Sequence, residues 1–352
     1  MYIDAHVHLR DFNQKQKETI KHGLEVARDS GIDAVFDMPN TDPPIITREL
    51  VVDRLRLAYK SNVPEVFYGL YIGLTSNQEQ VKKAVDVYRE FSEVVGMKLY
   101  AGHSVGNLGV TRIEDQFKIY SILSQEGFDG VLAVHAEKEK ELNHNLWNYH
   151  NPITHCHARP EKAEFESVKD QIKLARGCGF KGKLHIAHIS SPLAVELVQQ
   201  AKKNLDISCG ICPHHFIYDW QQMEKENGLL YKMNPPLRSP QSREKMIRCL
   251  LSGKIDWIET DHAPHTLDEK IKEPFMSGIP GLPWWNLFDE YLKINGFSDS
   301  RIEKITFSNI LKRFELDINK SKRKIIDRRS DYPFNPYKMI ETANESNNSG
   351  KN

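Results

Sequence analysis

Eight short apolar segments, each followed by a polar or helical segment, set the strongest constraint on how this chain can fold. They cover residues 3–9, 34–38, 66–74, 94–100, 130–135, 183–189, 206–212 and 255–261. Several of the intervening segments have apolar residues at helical spacing; Thr47, for example, is predicted to cap a helix that ends near Ser61. Alternating strands and helices indicate parallel βαβ units. Eight units predict an α/β fold, a closed (β/α)8 TIM barrel, and an open doubly wound sheet is the alternative.

Most of the chain is predicted to form one domain. A length of 352 residues allows one large core or two smaller ones. No low-complexity linker or short-period repeat interrupts the sequence before about residue 330. We therefore predict a single barrel domain over residues 1–330 and a C-terminal remnant over 331–340. Residues 341–352, rich in Asn, Ser, Gly and Lys, are predicted to form a disordered tail.

Composition excludes several classes of partner. Lys+Arg and Asp+Glu both number 48, so no charge excess points to nucleic acid or an anionic membrane. A mean hydropathy of -0.54 and the lack of an 18-residue apolar run argue against a membrane span. The predicted first strand leaves no room for a signal peptide. Five cysteines, an odd number, suit a reducing compartment, so we expect a cytoplasmic location.

Polar residues stand at the ends of the predicted strands, where barrels carry their catalytic groups. His6 and His8 are two apart on the first strand, so their side chains share a face. Alone, this pair reads equally well as a polar strand end. The functional interpretation becomes the stronger one because further candidate residues lie at the ends of other predicted strands. The full set is His6, His8, Asn40, Lys98, His135, His188 and Asp261.

Lys98 lies inside an apolar strand, where a charged side chain is costly. A buried ion pair or a strand-edge position would explain it without function. The functional interpretation is a lysine carbamylated by carbon dioxide, which bridges two cations as a carboxylate. With four imidazoles and Asp261, this group suits two zinc ions that keep a position open for water. Such a pair holds a bridging hydroxide, and Asp261 would pass its proton to the leaving nitrogen.

Two further groups of residues offer competing interpretations. His185 and His188 are three apart, so on a continuous strand only one can point inward. His188 is nearer the strand end and is the predicted ligand, whereas His185 is expected in an outer layer or behind the ligands. Cys209 and Cys212, followed by two histidines, suggest a structural zinc site. No second cysteine pair follows at the usual spacing, so buried small residues are the favoured interpretation.

Nine short motifs occur in order along the chain from Tyr2 to about residue 290. They are Asp4–Arg10, Met38–Thr41, Met97–Tyr100, Val134–Glu137, Arg159–Pro160 with Ala163–Glu164, His185–Ser190, Pro213–His215, Met233–Arg238 and Thr260–His265. Together they resemble those of the dihydroorotases in the cyclic amidohydrolase superfamily. The resemblance implies a metal-dependent hydrolase with two zinc ions that interconverts dihydroorotate and N-carbamoyl-aspartate in pyrimidine synthesis. It implies that His6, His8, Lys98, His135, His188 and Asp261 bind metal and that Lys98 is carbamylated.

The same resemblance assigns substrate contacts. Arg10, Asn40 and His265 resemble the contacts to the substrate carboxylate, and Asn234 resembles a contact to the ring. A guanidinium reads a carboxylate bidentately, and this separates dihydroorotases from hydantoinases and dihydropyrimidinases, whose substrates lack that group. Allantoinase is the next alternative, and a scaffold that has lost its activity is the competing class. The filled ligand positions argue against a scaffold.

Several features depart from the family pattern. Many relatives begin with strands of a β-sandwich, which is expected to be absent or reduced here. Phe12 and Asn13 replace the usual Pro-Gly after the first strand. Lys98 groups the chain with the carbamylated branch, whereas the His185–Ser190 and Arg159–Pro160 motifs resemble the other branch. The resemblance leaves open a homodimer and an association with a carbamoyltransferase.

Overall fold

Eight parallel strands form a nearly closed barrel in the computed structural model, which describes residues 2–103, 107–318, 320–321 and 323–341. Each strand pairs with the next one in the chain. A parallel bridge between Val7 and His262 brings the chain after the last strand against the first. The predicted (β/α)8 barrel is therefore confirmed. The strands are β1 Tyr2–Val7, β2 Ile32–Asp37, β3 Phe67–Gly73, β4 Val94–Tyr100, β5 Val131–His135, β6 Lys183–Ile186, β7 Ile207–Ile211 and β8 Trp257–Ile258.

Helices follow the strands and cover the barrel. The Thr47 side chain accepts a hydrogen bond from the backbone N–H of Leu50, as its predicted capping role requires. The α-helices are α1 Ile20–Asp29, α2 Arg48–Lys60, α3 Gln78–Glu90, α4 Ile113–Gln125, α5 Thr154–Ala158, α6 Glu161–Gly177, α7 Pro192–Ala201, α8 Pro213–Ile217, α9 Pro240–Leu251, α10 Leu267–Ile271, α11 Trp285–Ile294, α12 Asp299–Glu303 and α13 Asn309–Phe314. Within the described ranges, none of the helices is both long and apolar enough to cross a bilayer.

Two strands end three residues earlier than the apolar segments that predict them. β6 ends at Ile186 and β8 at Ile258, whereas the apolar segments continue to residues 189 and 261. The backbone adopts positive φ values of 39° at His188 and 50° at Asp261. These left-handed conformations are costly for residues other than glycine and take the chain out of the strand ladder. Both residues therefore lie just beyond their strands.

The C-terminal segment packs against the barrel. Tyr337 is fully buried, and its ring centroid lies 4.7 Å from that of Phe288 in α11. The Tyr218 hydroxyl donates to the carbonyl oxygen of Pro336 at 2.9 Å. The predicted division near residue 330 stays a prediction. Apart from residue 341, the predicted tail 341–352 lies outside the described residues.

Candidate metal centre

The carboxyl ends of the strands surround a small cavity that gathers most of the predicted site residues. Five of the six predicted metal ligands line it, together with three of the four predicted substrate contacts. The exceptions are Lys98 and His265, which lie behind the cavity wall. The predicted residues lining the cavity are His6, His8, Arg10, Asn40, His135, His188, Asn234 and Asp261.

One half of the centre is formed by His6, His8 and Asp261. The Nε2 atoms of His6 and His8 lie 3.3 Å and 2.9 Å from the same oxygen, Oδ1 of Asp261. All three side chains are buried. The two histidines share one side of the chain, as their spacing predicts. Their nitrogen atoms and the carboxylate are close enough together to bind a single metal ion.

The other half consists of His135 and His188. Nδ1 of His135 lies 3.1 Å from Nε2 of His188. Two nitrogen ligands of one tetrahedral zinc ion are separated by roughly 3.3 Å, given Zn–N bonds of about 2.0–2.1 Å. The His188 ring centroid is also 5.1 Å from that of His6, which brings the two halves into contact. The pair thus has the spacing of two metal ligands.

Lys98 is fully buried beside these groups, and its Nζ makes no hydrogen bond within the described structure. Nζ lies 5.2 Å from the ring centroid of Tyr100. Burial lowers the pKa of this amine to about 8. The orphaned nitrogen lacks the ion-pair partner that a purely structural buried lysine requires. Its position therefore fits a lysine that is carbamylated.

Burial keeps the four imidazoles neutral. It lowers the pKa of His6 to about 4, with the Lys98 charge acting in the same direction. Burial also lowers the pKa of His8, His135 and His188. Neutral imidazole is the form that binds metal. Burial raises the pKa of Asp261 above its ordinary value, so this carboxylate binds a proton more readily than an exposed one.

Glu259, to which the sequence interpretation gave no role, lies beneath the first half. Its carboxylate accepts hydrogen bonds from the His188 backbone N–H at 2.6 Å and from Trp257 Nε1 at 2.9 Å. Its Oε1 is 3.6 Å from His6 Nδ1. A Cβ atom at Gly210 would lie 2.6 Å from Cδ of Glu259, so only glycine leaves room for this side chain. Glu259 therefore contacts residues of both halves.

Glu137, another residue given no role, supports the second half. Its Oε2 accepts a hydrogen bond from Nε2 of His135 at 3.0 Å, so that Nδ1 faces His188. Arg159 binds the same carboxylate through Nε and Nη2. Burial opposes ionisation of Glu137, but Arg159 and His135 outweigh it and hold its pKa well below the ordinary range. The sequence did contain a signal for these two carboxylates. Glu137 lies two residues after His135 and Glu259 lies two residues before Asp261, a spacing that puts side chains on the same face of a strand.

His185 occupies a different position from His188. Its Nε2 is 3.3 Å from Glu259 and its ring stacks on Trp257 with centroids 4.2 Å apart. The prediction that His185 lies behind the ligands agrees with this position. The reason given for it is wrong, because the strand ends at Ile186 and strict alternation does not extend to His188.

The predicted substrate contacts surround the mouth of the cavity. Arg10 is buried; its Nε donates to the Pro264 carbonyl oxygen at 3.2 Å, and its Nη2 lies 3.1 Å from Nε2 of His265. Asn40 is buried and lines the cavity. Oδ1 of Asn234 lies 3.0 Å from Nε2 of His155. Arg10 and both asparagines therefore face the cavity, whereas His265 braces Arg10 from behind.

Curated relatives match a large part of the chain. A dihydroorotase from Methanosphaera stadtmanae is 32% identical over 291 residues, covering 80% of this chain and 62% of the relative. An allantoinase from Deinococcus radiodurans is 31% identical over 292 residues, covering 79% and 62%. The chain thus spans about three fifths of the length of these relatives. A search of protein-family models found no match.

Solved structures share the fold. An L-hydantoinase from Arthrobacter aurescens has a TM-score of 0.78 at 22% identity, covering 89% of this chain and 70% of that chain. The dihydroorotase of Saccharomyces cerevisiae in complex with 5-fluoroorotic acid has a TM-score of 0.73 at 17% identity, covering 90% and 84%. At these identities the likeness concerns the barrel alone.

Proposed function

The chain is related to the dihydroorotases of the cyclic amidohydrolase superfamily, and on that premise we propose that it is a dihydroorotase. The reaction is the reversible cyclisation of N-carbamoyl-aspartate to dihydroorotate in pyrimidine synthesis. The observation that carries this proposal is the buried guanidinium of Arg10 in the wall of the cavity that holds the histidine cluster. Among cyclic amides, dihydroorotate is the substrate whose ring carboxylate needs such a cation.

Two zinc ions are the proposed cofactor. His6, His8 and Asp261 would hold one ion, His135 and His188 the other, and carbamylated Lys98 would be shared. Carbamylation joins the uncharged Nζ to the carbon of carbon dioxide and releases a proton. Zinc bound there would act as a Lewis acid on a carbonyl oxygen and lower the pKa of a water molecule.

Arg10 would orient the substrate. Pro264 and His265 fix two edges of its guanidinium, so the group is already positioned before substrate binds. A preorganised fork of N–H donors loses little side-chain entropy when it pairs with a carboxylate. Asn40 and Asn234 face the same cavity and would contact the carboxylate and the ring. Together these groups would hold the scissile amide beside the histidine cluster.

Asp261 would move the proton. Its Oδ1 is next to both His6 and His8, and burial raises its pKa. A carboxylate with a raised pKa takes a proton from attacking water more readily and returns it to the leaving nitrogen. The backbone at Asp261 is left-handed, a strain of the kind found at functional sites.

A hydantoinase or dihydropyrimidinase activity and an allantoinase activity are the alternatives. The allantoinase relative is nearly as similar as the dihydroorotase, which makes a substrate comparison necessary. The protein is therefore assayed with dihydroorotate, hydantoin, dihydrouracil and allantoin, and the metal content of the same sample is measured. We expect turnover of dihydroorotate and at least two zinc ions per chain. Preferred turnover of an uncharged ring would refute the proposal, and no turnover of any substrate by zinc-loaded protein would favour a scaffold.

Arg10→Met sharpens the same test. Losing a charge-assisted carboxylate contact should raise KM for dihydroorotate about 10–100-fold, since such contacts contribute roughly 1.5–3 kcal/mol. Hydrolysis of dihydrouracil, which has the ring without the carboxylate, is the internal control and should change little. An equal loss on both substrates would show that Arg10 supports the site without reading the carboxylate. The homodimer and the carbamoyltransferase association stay predictions, which sedimentation of the protein alone and with the transferase would test.

A further inference from the structure

Three potential metal ligands lie together outside the cluster described above. They are Cys212, His214 and His215, where β7 leads into α8. One ligand atom from each lies within 4.8 Å of the others. All three side chains are buried, with exposed fractions of 0%, 1% and 3%. None of them lines the cavity of the proposed catalytic centre.

The histidines of this group have unused nitrogen atoms. Nε2 of His215 lies 3.0 Å from the Pro235 carbonyl oxygen, to which it donates, so Nδ1 is the unprotonated atom. That Nδ1 and both ring nitrogens of His214 are buried and lack hydrogen-bond partners within the described structure. A buried polar group without a partner costs about 1–3 kcal/mol. Each ring therefore keeps an unpartnered nitrogen, and both rings lie beside the Cys212 thiol, which points to a ligand that the side chains are arranged to receive.

We propose that Cys212, His214 and His215 bind a third zinc ion through one sulfur and two nitrogen atoms. A thiolate with two imidazoles is a favourable zinc donor set. On binding, a Zn–S bond forms, the S–H bond breaks and the proton passes to solvent. The neighbouring thiol of Cys209 is not a proposed ligand, because its Sγ lies 3.8 Å from the Lys254 carbonyl oxygen.

The ion would fix one wall of the catalytic cavity. Cys212 caps the short helix α8, and His215 is tied to Pro235, the neighbour of Asn234. Asn234 lines the cavity from that side. Zinc at this position would hold α8 and the Asn234 loop together and would take no part in bond breaking. The inference does not depend on the proposed activity.

Cobalt substitution provides a selective test, because the proposed catalytic ligands include no sulfur. We expect full-length protein reconstituted with Co²⁺ to show thiolate-to-cobalt charge-transfer absorption in the near ultraviolet. Cys212→Ser should abolish the band and lower bound metal by about one ion per chain. Cys209→Ser, which removes a neighbouring buried thiol, should keep both. His214→Ala should weaken the band or abolish it.

The proposal and the proposed function can fail separately. The band should persist in Lys98→Ala, which is expected to lose the catalytic metal. Absence of the band in the wild-type protein, or its persistence in Cys212→Ser, would overturn the third site. If Cys212→Ser does not fold, X-ray absorption spectroscopy of the wild-type zinc protein tests whether zinc is bound to sulfur. A Zn–S distance of about 2.3 Å supports the site, and nitrogen and oxygen scattering alone overturns it.

Discussion

The two halves of the histidine cluster are supported by buried carboxylates of different electrostatic character. Glu137, behind His135, forms an ion pair with Arg159. Glu259, beneath His6 and His188, has only histidines as ion-pair partners within 4 Å in the described ranges. Its charge is satisfied mainly by neutral N–H donors, including a backbone amide. The difference shows two ways to hold an imidazole ring in place. One is a carboxylate paired with an arginine, and the other is a carboxylate that accepts hydrogen bonds from several neutral N–H groups.

Lys98→Ala is expected to have the largest effect, because Lys98 is the group that would join both halves. It should abolish measurable turnover and remove most of the catalytic zinc. Metal analysis and a dihydroorotate assay measure this. Adding propionate, which supplies a carboxylate and has fewer heavy atoms than the carbamylated side chain that is removed, should restore part of both. If the variant kept the zinc content and turnover of the wild-type protein, the carbamate hypothesis would be wrong.

Asp261→Asn should have the next largest effect. The amide preserves size but cannot accept the proton, so kcat should fall about 10²–10⁴-fold, the usual contribution of a general acid–base group. Much of the metal should remain, because His6 and His8 are intact. Comparing kcat with zinc content separates proton transfer from metal loss. A kcat close to that of the wild type would exclude Asp261 as the proton carrier.

Glu137→Gln should then destabilise the second half by about 3–5 kcal/mol, because it leaves the Arg159 charge buried without its partner. Urea denaturation measures the loss. The double variant Glu137→Gln with Arg159→Met should recover part of the lost stability, since both charges are gone. No recovery would mean that the ion pair is not what Glu137 contributes.

Glu259→Gln should cost less, about 1–3 kcal/mol, because one amide oxygen replaces two acceptors while no cation is stranded. Zinc affinity should also fall by about 10–100-fold, as for other residues that orient metal ligands. Competition with a chelator measures the affinity. A stability loss as large as that of Glu137→Gln would contradict the proposed electrostatic difference between the two supporting carboxylates.

The pH dependence of the metal-free protein should show the smallest effect. His6 has a folded-state pKa of about 4 against an ordinary value of 6.5, so the unfolded chain binds a proton in that interval that the folded chain does not. Stability therefore falls as pH falls from about 6.5 to 4. At pH 5, His6 alone should cost about 2 kcal/mol relative to pH 7. Bound zinc should remove the decline, and an unchanged urea midpoint at pH 5 would contradict it.

The sequence by itself determined the architecture and the composition of the cluster. Alternating apolar segments and helices predicted the barrel because periodicity is a local property of the chain. Spacing placed His6 and His8 on one side, and strand ends supplied Lys98, His135, His188 and Asp261. These positions follow from the rule that barrel strands present their carboxyl ends at one face.

Apart from Glu137, which lies two residues after the histidine it supports, tertiary structure decided which groups support that cluster. Asp4 accepts hydrogen bonds from Thr260 and Trp285, more than 250 residues away, and so ties β1 to the chain after β8. The same closure places Glu259 beneath His6, and Gly210 leaves space for it. A local sequence pattern cannot predict these contacts, because they join residues that are far apart in the chain. The residues of the cluster were therefore predictable from the chain, whereas most of the groups that hold them in place depended on closure of the barrel.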